Sequence, residues 1–148
     1  MPEPAGSKYG KYIVTELKEP EQKRIIAADY AKYARRILWM DEDVVPGAFH
    51  MNTSWFLKAA ATLENVPHRH DDPEIIGFFS CDPQNPRDLG AEVEFWIEDE
   101  PQIITKSAMI FMPPHVLHCP MILRRVDRPI FHFTVVTSGL YIKDEKKK

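Results

Sequence analysis

Two cysteines in 148 residues are too few for a disulfide framework, so Cys81 and Cys119 are expected as thiols. No run approaches the roughly 20 apolar residues that a membrane-spanning helix needs. Charge of one sign is also missing: 19 basic against 22 acidic side chains leave a formal −3. That balance gives no electrostatic footprint for nucleic acid or an anionic membrane, and neither partner is expected. The lysines Lys146 to Lys148 read as a solvated tip. The opening residues 1–7 carry neither a basic region nor an apolar one, so a cytoplasmic location is expected. There is no fixed-period repeat and no low-complexity tract.

What is present is strand-forming sequence punctuated by turns. Hydrophobic residues make up 44% of the chain, enough for one core of its own, so a bound metal need not carry the fold. Residues 12–17 are rich in β-formers and are expected as an edge strand. Residues 21–33 are expected to include a short helix. From Arg36 onward the signals are β: 37–40, 51–57, 74–79, 108–112, 119–123 and 130–136 are short apolar runs between turn formers. In 91–98 the alternation is clearest. Val93, Phe95 and Ile97 share one face; Glu92, Glu94 and Glu98 share the other with Trp96. Residues 102–105 return as its hairpin partner. Thirteen prolines suit many turns and edges. The expectation is an all-β sandwich or barrel. The organisation expected is an extension over 1–50, a barrel over 51–140 and a charged tail over 141–148. Aromatic residues on the strands, Phe78, Phe79, Phe95, Phe111, Phe131 and Phe133 among them, are read mostly as core.

Six histidines are present, and their placement is informative. In residues 67–74, His68 and His70 are two apart, so on a strand both imidazoles face one way and Arg69 the other. Glu74 has the same parity and reaches that face if the strand continues past Pro73. Two imidazoles and a carboxylate suit one divalent transition metal ion: iron, manganese, nickel, cobalt or zinc. A further ligand is offered by residues 109–118, where a strand ends at Pro113-Pro114 and His115 and His118 follow. Parity does not decide between those two, because the proline turn breaks the strand count.

The pattern His-x-His-x-x-x-Glu, a spacer, then Pro-x-x-x-x-His resembles the two motifs of the cupin superfamily. The resemblance covers about residues 56–136. It implies a double-stranded β-helix, or jelly-roll barrel; the mixed N-terminal extension lies outside the resemblance. It also implies a metal held inside by His68, His70, Glu74 and His118; the family's spacing from Pro113 selects His118 over His115. The chain departs from the family at turn positions. His115, Ser107 and Cys81 stand where glycine is usual, and Ile122 stands where asparagine often does.

Such a barrel implies a metal-dependent enzyme acting on a small organic molecule, with oxygenase, isomerase, decarboxylase and lyase chemistry all open. His132 and His115 are the candidates for moving a proton; His132 reads equally as a hydrogen-bonded core histidine. The alternative is a non-catalytic barrel that holds a small ligand or metal in sensing or regulation. The resemblance further implies a homodimer. Glu92 and Glu94 are read as a solvated outer face.

Overall fold

The computed structural model describes residues 7–18, 20, 27–64, 66–138 and 144–145. Eleven strands are described: β1 (Ala34–Met40), β2 (His50–Phe56), β3 (Ala60–Glu64), β4 (His68–Arg69), β5 (Glu74–Ser80), β6 (Asp88–Ile97), β7 (Glu100–Lys106), β8 (Ala108–Met112), β9 (His118–Val126), β10 (Ile130–Val136) and β11 (Asp144–Glu145). They form two antiparallel sheets. The first sheet has the order β1-β2-β10-β5-β8. The second runs β11-β4-β9-β6-β7, with β3 also on β9.

Phe56, Ile76, Phe78 and Ile130 of the first sheet meet Leu89, Val93, Phe95 and Leu123 of the second, all buried. The 91–98 alternation is realised on β6, with Val93 and Phe95 inward. Outward, Glu92 and Glu94 pair with Arg124, and Glu92 also with Arg125. The second sheet therefore turns a charged face to solvent, as expected.

Helix is nearly absent among the described residues. One turn, α1 (Ala27–Tyr30), lies inside the expected 21–33 segment, of which residues 21–26 fall outside the described set. The expected edge strand over 12–17 does not form. Gly10–Tyr12 is a 3-10 turn, and the residues after it pair with no strand among the described residues. β-propensity without a sheet partner is not enough to fix a strand. β1 and β11 lie outside 51–140, yet both are hydrogen-bonded into the sheets. No helix among the described residues is long and apolar enough to cross a membrane.

The first sheet inverts the usual alternation. On β2, His50, Asn52 and Ser54 are buried while Met51 is exposed and Trp55 half-buried. On β10, His132 faces in while Phe131, Phe133 and Val135 face out. The expectation that the strand aromatics are mostly core holds for Phe78 and Phe95. It fails for Phe111, which is 63% exposed, and for Phe79, Phe131 and Phe133, which lie on the outer face. The pleat sends every second residue outward whatever its hydrophobicity, and inward places are taken by polar side chains that find partners there.

Candidate metal centre

β4 supplies His68, and His68 lies directly opposite His118 on β9. His70 follows β4 by one residue. The chain then bends at Asp71-Asp72 and crosses to the other sheet, where Glu74 opens β5. Glu74 thus reaches the group by a crossover at Pro73, not by continuation of one strand. His68, His70, Glu74 and His118 are all at most 4% exposed, whereas Arg69 points outward.

The rings are oriented by the backbone. Nδ1 of His68 lies 3.1 Å from the Val66 carbonyl oxygen, Nδ1 of His70 2.6 Å from that of Asp72, and Nδ1 of His118 2.8 Å from that of Val116. An Nδ1–H donating to a carbonyl leaves Nε2 as the lone-pair nitrogen, the arrangement that suits a metal-ligating imidazole. One ligand nitrogen from each of the three rings lies within 4.8 Å of the others. Three such atoms share a point no more than about 2.8 Å from each, so shifts of under about 1 Å reach the 2.0–2.1 Å typical of a metal–imidazole bond. The donor set fits a divalent transition ion.

Glu74 completes the group. Its Oε1 lies 3.0 Å from Nε2 of His70 and 3.2 Å from Nε2 of His118. Burial pushes the Glu74 carboxyl up, but hydrogen bonds from His118 and His70, with their charges, outweigh it and hold it at about 2. The Glu74 hydrogen bond raises His70 above the usual 6.5, against the opposing effect of burial. Both nitrogens of His70 and of His118 face oxygens, which requires either an imidazolium or a cation between Nε2 and the carboxylate.

His115 stands apart from this group. Its ring is exposed and lies 3.5 Å from the Asp71 carboxylate. Its backbone does the work instead: at φ 66° it takes the left-handed conformation that glycine would adopt easily, and its N–H donates to the His70 carbonyl at 2.9 Å. That bond ties the second motif to the first. Cys119, at φ 77°, is also left-handed and buried in the core. His118 is therefore aimed by a segment with left-handed non-glycine residues on both sides. Cys119 and Cys81 are both thiols, as expected.

His132 is buried but lies deeper in the barrel. It pairs across to Phe78, four residues along β5 from Glu74, roughly 13 Å by strand rise. Its ring stacks between Phe56 and Phe78 at centroid distances of 4.5 and 5.1 Å, and Nδ1 meets the Gly77 carbonyl at 3.0 Å.

The sequence reading missed a polar row on the inner face of the first sheet. Asn52 donates to Thr134 at 2.7 Å and lies 2.8 Å from Nε2 of His50. Arg36 donates to Asn52 and Ser54, and the Tyr30 hydroxyl donates to Ser54 at 2.6 Å. The Arg36 guanidinium lies 4.5 Å from the Tyr30 ring centre and 5.3 Å from that of Trp39. His50 sits in line with Val136 and Glu74 across β2, β10 and β5, so this row flanks the histidine group. The signal was the alternation His50, Asn52, Ser54 against Met51 and Trp55, which puts polar residues on whichever face Phe56 shares.

No family model matches the sequence, and no curated protein is significantly similar to it. Solved structures are. A recombinant oxalate oxidase in complex with glycolate superposes over 95% of this chain with a TM-score of 0.55 at 14% identity; this chain spans 65% of that one. An uncharacterized protein with a double-stranded β-helix domain from Klebsiella pneumoniae matches over 89% of this chain and 91% of its own, at 10% identity and a TM-score of 0.48. A cupin 2 domain-containing protein from Halorhodospira halophila matches over 78% and 68%, at 14% identity and 0.46. The likeness is one of fold: the chain has a double-stranded β-helix of two antiparallel sheets, shared over 95% of its length with the oxalate oxidase.

Proposed function

We propose that the protein binds one divalent transition metal through His68, His70, Glu74 and His118 and acts on a small organic molecule inside the barrel. The observation that carries this reading is the set of three buried imidazoles, each tied at Nδ1 to a backbone carbonyl and gathered around one carboxylate. A bound ion would supply Lewis-acid polarisation or activation of water or dioxygen at that point. Glu74 neutralises part of its charge. The burial of all four side chains keeps bulk water from that point, and the row Arg36, Asn52, Ser54 and Thr134, hydrogen-bonded among themselves, makes the adjoining wall of the first sheet polar.

One observation favours the alternative, a barrel that holds a metal or small ligand without turning it over. Of the two candidate proton carriers, His115 is exposed and His132 lies locked in an aromatic stack away from Glu74. In the catalytic reading, proton transfer then falls to Glu74 or to a group brought by the substrate.

Elemental analysis of untagged protein beside His70→Ala tests the metal, and the metal-loaded forms are then screened against small hydroxy and keto acids. Glycolate and oxalate come first, as the compounds associated with the oxalate oxidase of like fold. About one equivalent of metal in the wild type, lost in the variant, is expected, together with turnover. Metal without turnover of any compound favours the binding reading. No metal in either protein, even after addition, overturns the metal-dependent reading and leaves the barrel that holds a small ligand without metal.

A further inference from the structure

We propose that Glu98, in the turn between β6 and β7, is a positioning residue for His118 and acts on it through the Val116–Leu117 peptide. The inference rests on the reading of His118 as a metal ligand and adds a residue to it. β6 ends at Ile97 and β7 starts at Glu100, so Glu98 and Asp99 form a two-residue loop. Glu98 has φ 52°, a left-handed conformation that glycine takes without strain and commonly supplies at the first place of such a loop. A glutamate there persists because its surroundings hold it. What holds it is Leu117. The Glu98 N–H donates to the Leu117 carbonyl at 2.7 Å, and Oε1 of Glu98 accepts from the Leu117 N–H at 3.2 Å. In an antiparallel ladder the return bond of such a pair goes to a backbone carbonyl. Here the side-chain carboxylate takes that place.

The Leu117 N–H and the Val116 carbonyl belong to one peptide group, and that carbonyl is the one 2.8 Å from Nδ1 of His118. A chain of hydrogen bonds therefore runs from the Glu98 carboxylate through a single peptide to the imidazole. Hydrogen bonds in series polarise one another. A carboxylate at the N–H makes the carbonyl a stronger acceptor, which fixes the ring and makes Nε2 a better ligand atom. His68 and His70 lack this arrangement. The carbonyls at their Nδ1 atoms belong to the Val66–Pro67 and Asp72–Pro73 peptides, and proline has no N–H.

The strand register points the same way. Phe95 pairs with Met121 but Ile97 with His118, so three steps along β9 match two along β6. This bulge, which contains the left-handed Cys119, separates His118 from the register of the rest of β9. The anchor on its other side is Leu117, which is 7% exposed and held by Glu98 at both of its backbone groups.

The test compares the full chain with Glu98→Gly and Glu98→Gln. Glycine suits the positive φ, so a role confined to the hairpin predicts a Glu98→Gly protein as good as the wild type. Loss of the carboxylate is instead expected to raise the dissociation constant for cobalt(II), measured by chelator competition, roughly 10-fold. Glutamine keeps an acceptor oxygen and is expected to restore most of the affinity. Heteronuclear NMR of the chelated proteins reads the Nδ1 protons without metal. In Glu98→Gly the His118 proton is expected to move upfield and exchange faster, while those of His68 and His70 stay in place as internal controls. Unchanged cobalt affinity together with an unchanged His118 signal overturns the proposal. Equal shifts at all three histidines overturn it as well, since they would mean a general loosening of the barrel. A wild type that takes up no cobalt overturns the metal reading, and the His118 signal then decides the positioning role by itself.

Discussion

Consider His118→Ala in the presence and absence of metal. If the four side chains hold an ion in the folded state only, free metal at about 1,000 times its dissociation constant stabilises the fold by about 4 kcal/mol. A chain of 148 residues has an unfolding entropy near 0.3 kcal/mol per degree, so the wild-type melting temperature rises by about 13 °C on loading. His118→Ala removes a buried ligand and one of the two hydrogen-bond donors that Glu74 has in the metal-free group. The stripped variant loses about 1–3 kcal/mol, or roughly 3–10 °C, from a carboxylate left less satisfied. The decisive quantity is the increment on adding metal, which falls to a few degrees in the variant because three ligands hold the ion more weakly than four. Differential scanning fluorimetry of chelated and reloaded protein, wild type and variant side by side, measures it. A wild-type melting temperature that metal does not move refutes the reasoning. An undiminished increment in His118→Ala refutes the place given to His118.

The group also predicts opposite pH trends with and without metal. Glu74, held at about 2 against an ordinary 4.5, contributes stability that is complete above 4.5 and is lost as pH falls toward 2; His70, raised above 6.5, contributes stability that is complete below 6.5 and fades as pH climbs through its folded value. Metal must displace the His70 proton, so its apparent affinity rises about tenfold per pH unit for each proton displaced, in the range below the raised His70 value. Melts from about pH 6 to about pH 8 should show chelated protein losing stability while the metal-induced increment grows; parallel curves would contradict this. At the far end of β1, Asp41 is 3% exposed and accepts from the Trp39 indole at 2.8 Å and from the Asp43 and Val44 backbone N–H groups. Asp41→Ala strands those donors and should cost about 2–4 kcal/mol in urea unfolding; a change under about 0.5 kcal/mol would mean that water replaces the carboxylate there.

The sequence by itself marked most of the strands and singled out His68, His70, Glu74 and His118 as a candidate group. Period-two alternation is a local property, so β6 with Val93 and Phe95 inward was readable without any partner. The spacing of His68, His70 and Glu74 and their interval to His118 is likewise local within each motif, and the structure gathers all four. Only tertiary structure could decide the rest. Whether 12–17 becomes a strand depends on a neighbour, and it has none among the described residues. His115 and His118 are separated in role by a turn in which His115 is left-handed, and a residue's φ is not written in its side chain. Which face of β2 and β10 turns inward was equally undetermined, since both faces carry bulky residues. The sheet buries His50, Asn52 and Ser54 because Asn52 finds His50, Arg36 and Thr134, and Ser54 finds Arg36 and Tyr30, on other elements. Satisfying those polar groups inside leaves the aromatics outside, because a strand cannot bury both of its faces against one core.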